Sequence, residues 1–182
     1  MTDVFLPRDL TAGTPTVIGL SAFPRPAPAS ASPDETDINP SMNPYAFLAE
    51  HPDLSMELAP LPPGQRGRWY PDLHVILISN QLTQAERRCT LTHELVHRMR
   101  GDLHIDDDLI RNRLERSCHQ IAARLLLPLP KLAEVLVWSE CPSEAAEALF
   151  VDVETLQTRL ESLHPAERGF LRRSIAMKEA TA

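Results

Sequence analysis

The most strongly apolar run in the chain is Val75-Ile76-Leu77-Ile78, flanked by His74 and Ser79. β-branched side chains fit a pleated, half-buried surface, so residues 74–79 read as a strand. Weaker strand patterns occupy 56–61 and 68–70, with a Pro-Pro-Gly turn between them and Tyr70-Pro71-Asp72-Leu73 as a further turn. Short strands separated by turns predict a small antiparallel sheet. Beyond Ser79 the apolar spacing becomes helical. Thr83-Gln84-Ala85-Glu86 is a capping-box sequence, so a helix starts there and runs to about Arg100, where Gly101 can stop it by adopting positive φ. Asp106–Asp108 suit the positive end of a second helix, from about Asp107 to Leu127, ending before Pro128. Further helices are expected at 131–138, after a Ser143 cap, after an Asp152 cap and from Pro165 onward. A short one at 43–51 would be capped by Asn43, with Pro44 at its first position.

Seven of the 17 prolines fall within residues 1–40. Each removes a backbone donor and fixes φ, so this stretch is expected to be a mostly irregular arm. The domain expectation is then an arm at 1–40, a catalytic domain at 41–140 and a helical, helix-turn-helix-like extension at 141–182 packed on it.

The net charge is −7, which provides no general attraction to nucleic acid or an anionic membrane. Three widely spaced cysteines, Cys89, Cys118 and Cys141, do not form a disulfide framework and suit a reducing compartment. The first ten residues lack a basic region followed by a long apolar run, and no apolar stretch is long enough to span a bilayer. A cytoplasmic location follows as the expectation.

The chemistry concentrates in Thr92-His93-Glu94-Leu95-Val96-His97, an H-E-x-x-H pattern inside the first long helix. Residues four apart share a helix face, so both imidazoles can point at one ion, and zinc suits such ligands. Glu94, next to the first ligand, can take a proton from water activated by that ion. A catalytic zinc needs a third protein ligand, and several residues compete. His104 would fit an extended H-E-x-x-H-x-x-G-x-x-H pattern, but both Gly101 and His104 arrive one residue late. Asp106–Asp108 are better explained as helix-start charges. His119 shares a helix face with Glu115 and stays open. Glu115, eighteen residues past His97 on the second helix, is the preferred ligand. Tyr70, His104 and His119 are candidates for stabilising an oxyanion or contacting substrate.

The run Glu115-Arg116-Ser117-Cys118-His119-Gln120-Ile121-Ala122-Ala123-Arg124-Leu125-Leu126-Leu127-Pro128, with the upstream apolar strand and the Thr90-Leu91-Thr92-His93-Glu94-Leu95-Val96-His97 segment, resembles the ImmA/IrrE-type metallopeptidases. The resemblance covers residues 65–130 and extends more loosely to 163. Cys118 stands where alanine is usual, and Val96 where glycine is common. It implies an α+β fold, a small antiparallel sheet packed on a helical zincin-like core. It also implies a gluzincin-like zinc peptidase with His93, His97 and Glu115 on the metal and Glu94 as base. The implied substrate is a helix-turn-helix repressor of a phage, mobile element or stress regulon.

A rival reading rests on residues 143–163, whose apolar rhythm suggests a helix-turn-helix with Thr155, Gln157 and Arg159 facing outward. Residues 143–182 hold seven acids and five bases, a net of −2, whereas phosphate contact needs clustered positive charge. A zinc-binding regulatory or repressor-binding protein without catalysis is the other alternative.

Overall fold

The computed structural model describes residues 41–101 and 107–180. The Pro-rich arm and His104 lie outside the described residues.

Asn43 accepts from the Tyr45 and Ala46 amides and opens α1, Pro44–Glu50. Strands β1 (Ser55–Ala59), β2 (Gly67–Tyr70) and β3 (Val75–Ser79) follow, with a 3₁₀ turn at Pro71–Leu73 between β2 and β3. The helices are α2 (Gln84–Arg100), α3 (Asp108–Leu126), α4 (Leu129–Leu136), α5 (Pro142–Leu149), α6 (Val153–Glu161) and α7 (Pro165–Glu179). The class is α+β, as expected.

The sheet is mixed and not antiparallel. Its order is β1-β3-β2, with β1 parallel to β3 and β2 antiparallel to it. The turn between β2 and β3 makes the antiparallel pair that the local pattern predicts. Strand β1, although β2 follows it in the chain, lies against the far side of β3. Ile76 and Ile78 of the central strand are fully buried, packed with Leu54, Leu91 and Leu95.

Helix α2 starts at the predicted capping box, with the Glu86 amide donating to Thr83 Oγ1 and the Thr83 amide to Glu86 Oε2. It ends at Gly101, φ 66°, in the left-handed region that glycine enters without steric cost. Three cores converge on it. Leu91 and Leu95, one turn apart, pack with Leu54, Ile76 and Ile78 beneath the sheet. Val96 meets Cys118 and Ala122 of α3. Cys89 joins the large cluster formed by Leu126, Leu127, Leu132, Leu149, Leu156 and neighbours from α3 to α7. Each buried leucine contributes roughly 1.5–3 kcal/mol. The last carbonyls of α3 are satisfied by the residues preceding α1: the Met42 amide donates to Leu125 O and Ser41 Oγ to Leu126 O.

Helices α5 and α6 turn sharply at Phe150, which sits at φ 55° as the α5 C-cap. Asp152 caps α6, accepting from the Thr155 amide. Ser143 does not cap α5; Cys141 precedes it and Pro142 takes the first helical position, where its missing N–H is not needed. The outward placement expected for Arg159 is also overturned. Arg159 is 1% exposed, donating through Nε to Leu127 O and through Nη2 to Glu167 Oε1. Its guanidinium satisfies an α3 C-cap carbonyl and joins α6 to α7, so it is not available to a phosphate.

Candidate metal centre and active site

Two neighbouring elements of opposite chain position build the site. Helix α2 projects His93 and His97 from one face, a turn apart, and their Nε2 atoms lie 2.9 Å from one another. Helix α3 is held against that face by the Val96–Cys118–Ala122 contact and brings in Glu115. Glu115 Oε2 lies 3.3 Å from His93 Nε2 and 3.5 Å from His97 Nε2. One donor atom from each of the three falls within 4.8 Å of the others. The two histidines are mostly buried, while Glu115 is half-exposed toward the cleft.

These donors fit a divalent ion. Two imidazole nitrogens and one carboxylate oxygen converge on one point from two helices, and the open cleft leaves a further position for water or substrate. The electrostatics carry the same message. Hydrogen bonds from both imidazoles outweigh burial and hold the Glu115 carboxyl well below its ordinary range. Burial pulls His97 down, but Cys118 and Glu115 outweigh it and push the imidazole up to about 10. His93, more enclosed, is pulled down by burial against the opposing effect of Glu115.

The rings are oriented from behind by different means. His97 Nδ1 lies 3.6 Å from the fully buried Cys118 Sγ. His93 Nδ1 is buried without a hydrogen-bond partner among the described residues. His93 instead packs against the ring of His119, centroid to centroid 4.2 Å.

Glu94 is 8% exposed and lies between α2 and the sheet, where the Trp69 amide donates to its Oε2 at 2.8 Å. Burial pushes its carboxyl up to about 7, opposed by the nearby His97 and the Trp69 amide. A carboxyl poised near neutrality can both take and return a proton.

The centre opens into a cleft of about 750 Å³ lined on one side by residues 64–72, on another by Arg111, Glu115 and His119, and at its far end by Asp152, Glu154 and Thr158. Arg66 bridges that end, reaching Asp152 Oδ2 at 2.6 Å and Glu154 Oε2 at 3.3 Å. Tyr70 and His119, both singled out as substrate contacts, line the cleft. The Tyr70 ring lies 5.3 Å from the Arg68 guanidinium carbon.

Strand β3 is the central strand, paired on both sides, so its backbone has no free edge. The edge strands are β1 and β2, and of these β2 lines the cleft. Two contributors went unrecognised: Arg111, four residues before Glu115 and legible from helical spacing, and the Gly67–Trp69 backbone, which no local pattern marks.

Residues 55–161 match the sequence profile of the M78 peptidases, described as the IrrE N-terminal-like domain. The chain is also similar to two proteins named radiation response metalloprotease IrrE. That of Deinococcus deserti is 35% identical over 86 residues, covering 42% of this chain and 31% of the relative. That of Deinococcus radiodurans is 29% identical over 107 residues, covering 53% of this chain and 32% of the relative. The match spans about a third of the length of each of these relatives. With the family profile running from β1 to the end of α6, across both helices that carry the three convergent donors, the chain belongs to the IrrE N-terminal-like family of metallopeptidases.

Proposed function

We propose that this protein is a zinc-dependent endopeptidase whose metal is held by His93, His97 and Glu115 and whose general base is Glu94. The observation that carries the reading is the convergence of the three donors on one point, with the buried Glu94 adjacent to a ligand and open to the same cleft. When bound, the ion supplies Lewis acidity toward a water and a peptide carbonyl. Glu94 accepts a proton from the attacking water and delivers it to the leaving amine nitrogen as the peptide bond breaks. Its near-neutral carboxyl supports both transfers. Tyr70 and His119 on the cleft walls are the candidate donors to the developing oxyanion. An extended substrate lies along β2, the edge strand that lines the cleft.

The substrate assigned is a helix-turn-helix repressor of a phage, mobile element or stress regulon, cut in the cytoplasm to relieve repression. The sequence resemblance supports this assignment; the relatives' names give a metalloprotease of the radiation response. Among the described residues no helix is long and apolar enough to cross a membrane. Residues 141–182 serve as a packing or repressor-docking extension of the 41–140 catalytic domain. A DNA-binding role for 143–163 loses its main support, since Arg159 is buried and the exposed positions of α6 include Glu154, Gln157 and Glu161.

The test is metal analysis of the purified protein, then co-expression with the repressor encoded nearest to it. One zinc per chain and a truncated repressor are expected. Glu94→Gln should retain the zinc and leave the repressor intact, a loss on the order of 10²–10⁴-fold for removal of a general base. Cleavage that persists in Glu94→Gln would overturn the assignment of the base; a repressor left whole by the zinc-loaded wild type would remove the substrate.

A further inference from the structure

The backbone of β2 offers an account of how Glu94 is aimed. The β2–β3 register, with the Ser79 amide donating to Arg66 O at 2.8 Å, makes Arg66–Ser79, Arg68–Leu77 and Tyr70–Val75 the mutually bonded pairs. The amides and carbonyls of Gly67 and Trp69 therefore point away from β3, to the outer edge. The Trp69 amide meets Glu94 Oε2 there. At Gly67 the space for a side chain is already filled: a Cβ would lie 2.6 Å from Thr90 Cγ2, 3.1 Å from Glu94 Oε1 and 3.2 Å from Ile78 Cδ1. Gly67 has no positive φ, so its need for glycine comes from this close approach and not from the backbone.

We infer that Gly67 and the Trp69 amide act together as a positioning device for the Glu94 carboxylate, the amide fixing Oε2 and the missing side chain leaving room for Oε1. This rests on the reading of Glu94 as base. Without the device a carboxylate on a flexible glutamate stem could swing among several rotamers. With it, one oxygen is anchored to the sheet and the other lies against Gly67. It also divides the β2 edge: the Trp69 amide is committed to the enzyme's own carboxylate, so an incoming peptide has the Gly67 amide and carbonyl and the Trp69 carbonyl for pairing.

The test uses the zinc-loaded full chain, ¹⁵N-labelled, with four variants: Glu94→Ala, Gly67→Ala, Thr90→Ser and the double variant Gly67→Ala/Thr90→Ser. Thr90→Ser removes the methyl that a Cβ at 67 meets first, so the double variant keeps the approach to Glu94 Oε1 together with that to the terminal methyl of Ile78. Solvent exchange of the Trp69 amide is expected to accelerate about tenfold in Glu94→Ala, the scale of a lost hydrogen bond to a charged group. The double variant should show the same acceleration with zinc content and Tm close to those of Thr90→Ser. Against fluorescein-labelled casein its kcat should fall on the order of 10- to 100-fold with KM unchanged, as for a misplaced catalytic group. Wild-type exchange in Glu94→Ala, or wild-type exchange and kcat in the double variant, would overturn the inference. If zinc-loaded wild type cuts no casein, that result counts against peptidase activity alone, and amide exchange still decides the positioning role.

Discussion

Cys118 shows how much a single side chain behind a ligand can matter. Its sulfur lies against His97 Nδ1, the nitrogen that faces away from Glu115, and it is fully buried. A group bonded to the distal nitrogen of a metal-bound imidazole fixes its tautomer and ring orientation. Cys118→Ala is therefore expected to weaken zinc binding about tenfold, read by competition with a chromogenic chelator. Glu115→Gln should be more damaging, because it removes the charged donor shared by both imidazoles. Its zinc content after dialysis should fall well below one per chain. His119 differs from both. It touches His93 through ring packing and shows no bond to the three donors, so His119→Ala should retain zinc and lower kcat. Zinc loss in that variant would place His119 among the ligands.

At the scale of elements, α2 is defined at both ends by residues that can be recognised locally. Thr83→Ala breaks the capping box and is expected to cost about 1 kcal/mol in urea unfolding. The join between α6 and α7 has a different character. Burial raises the Glu167 carboxyl, but the Arg159 guanidinium and the His164 amide outweigh it, so its folded value lies below the ordinary 4.5. A depressed carboxylate contributes stability above its unfolded value, and that contribution fades as pH falls through the folded value. The stability difference between wild type and Glu167→Gln should therefore be largest near neutral pH and shrink on acidification below 4.5, measured by urea unfolding across that range. A difference that grows on acidification would contradict the pairing. Arg159→Ala leaves Leu127 O and Glu167 without their buried partner and should cost roughly 3–5 kcal/mol.

For the whole molecule, the metal centre is a joint between parts that fold around different cores. Helix α2 is packed on the sheet through Leu91 and Leu95, while α3 leads into the leucine-rich cluster with α4 to α7. On the proposed ligand set, two α2 residues and one α3 residue, an ion would bind only when these helices are docked. Its removal should lower the thermal midpoint, and excess zinc should raise it with concentration, since a ligand bound only by the folded state stabilises by mass action. Scanning calorimetry with and without a chelator checks this. The chelated protein should keep its far-ultraviolet helical signal below the transition, because the three hydrophobic clusters do not require the ion.

The signals that could be read along the chain are those whose cause is local. Helix limits at Thr83, Gly101, Asp107 and Asp152 follow from side chains bonding the nearest backbone or from positive φ, and each appears where its residue predicts. The His93–His97 pair is equally local, because four residues make about one helical turn. Glu115 was preferred for its place on a second helix able to pack against the first, and by the family resemblance, since its own neighbours along α3 do not distinguish it from other solvated carboxylates until α3 docks on α2. What tertiary structure alone decided was of that long-range kind: β1 pairing with β3 in parallel, Arg159 turned inward to Leu127, and Glu94 held on the edge of β2. Each depends on a partner 20 or more residues away, or on what else fills a buried space, and neither composition nor periodicity records which distant surface a residue will meet.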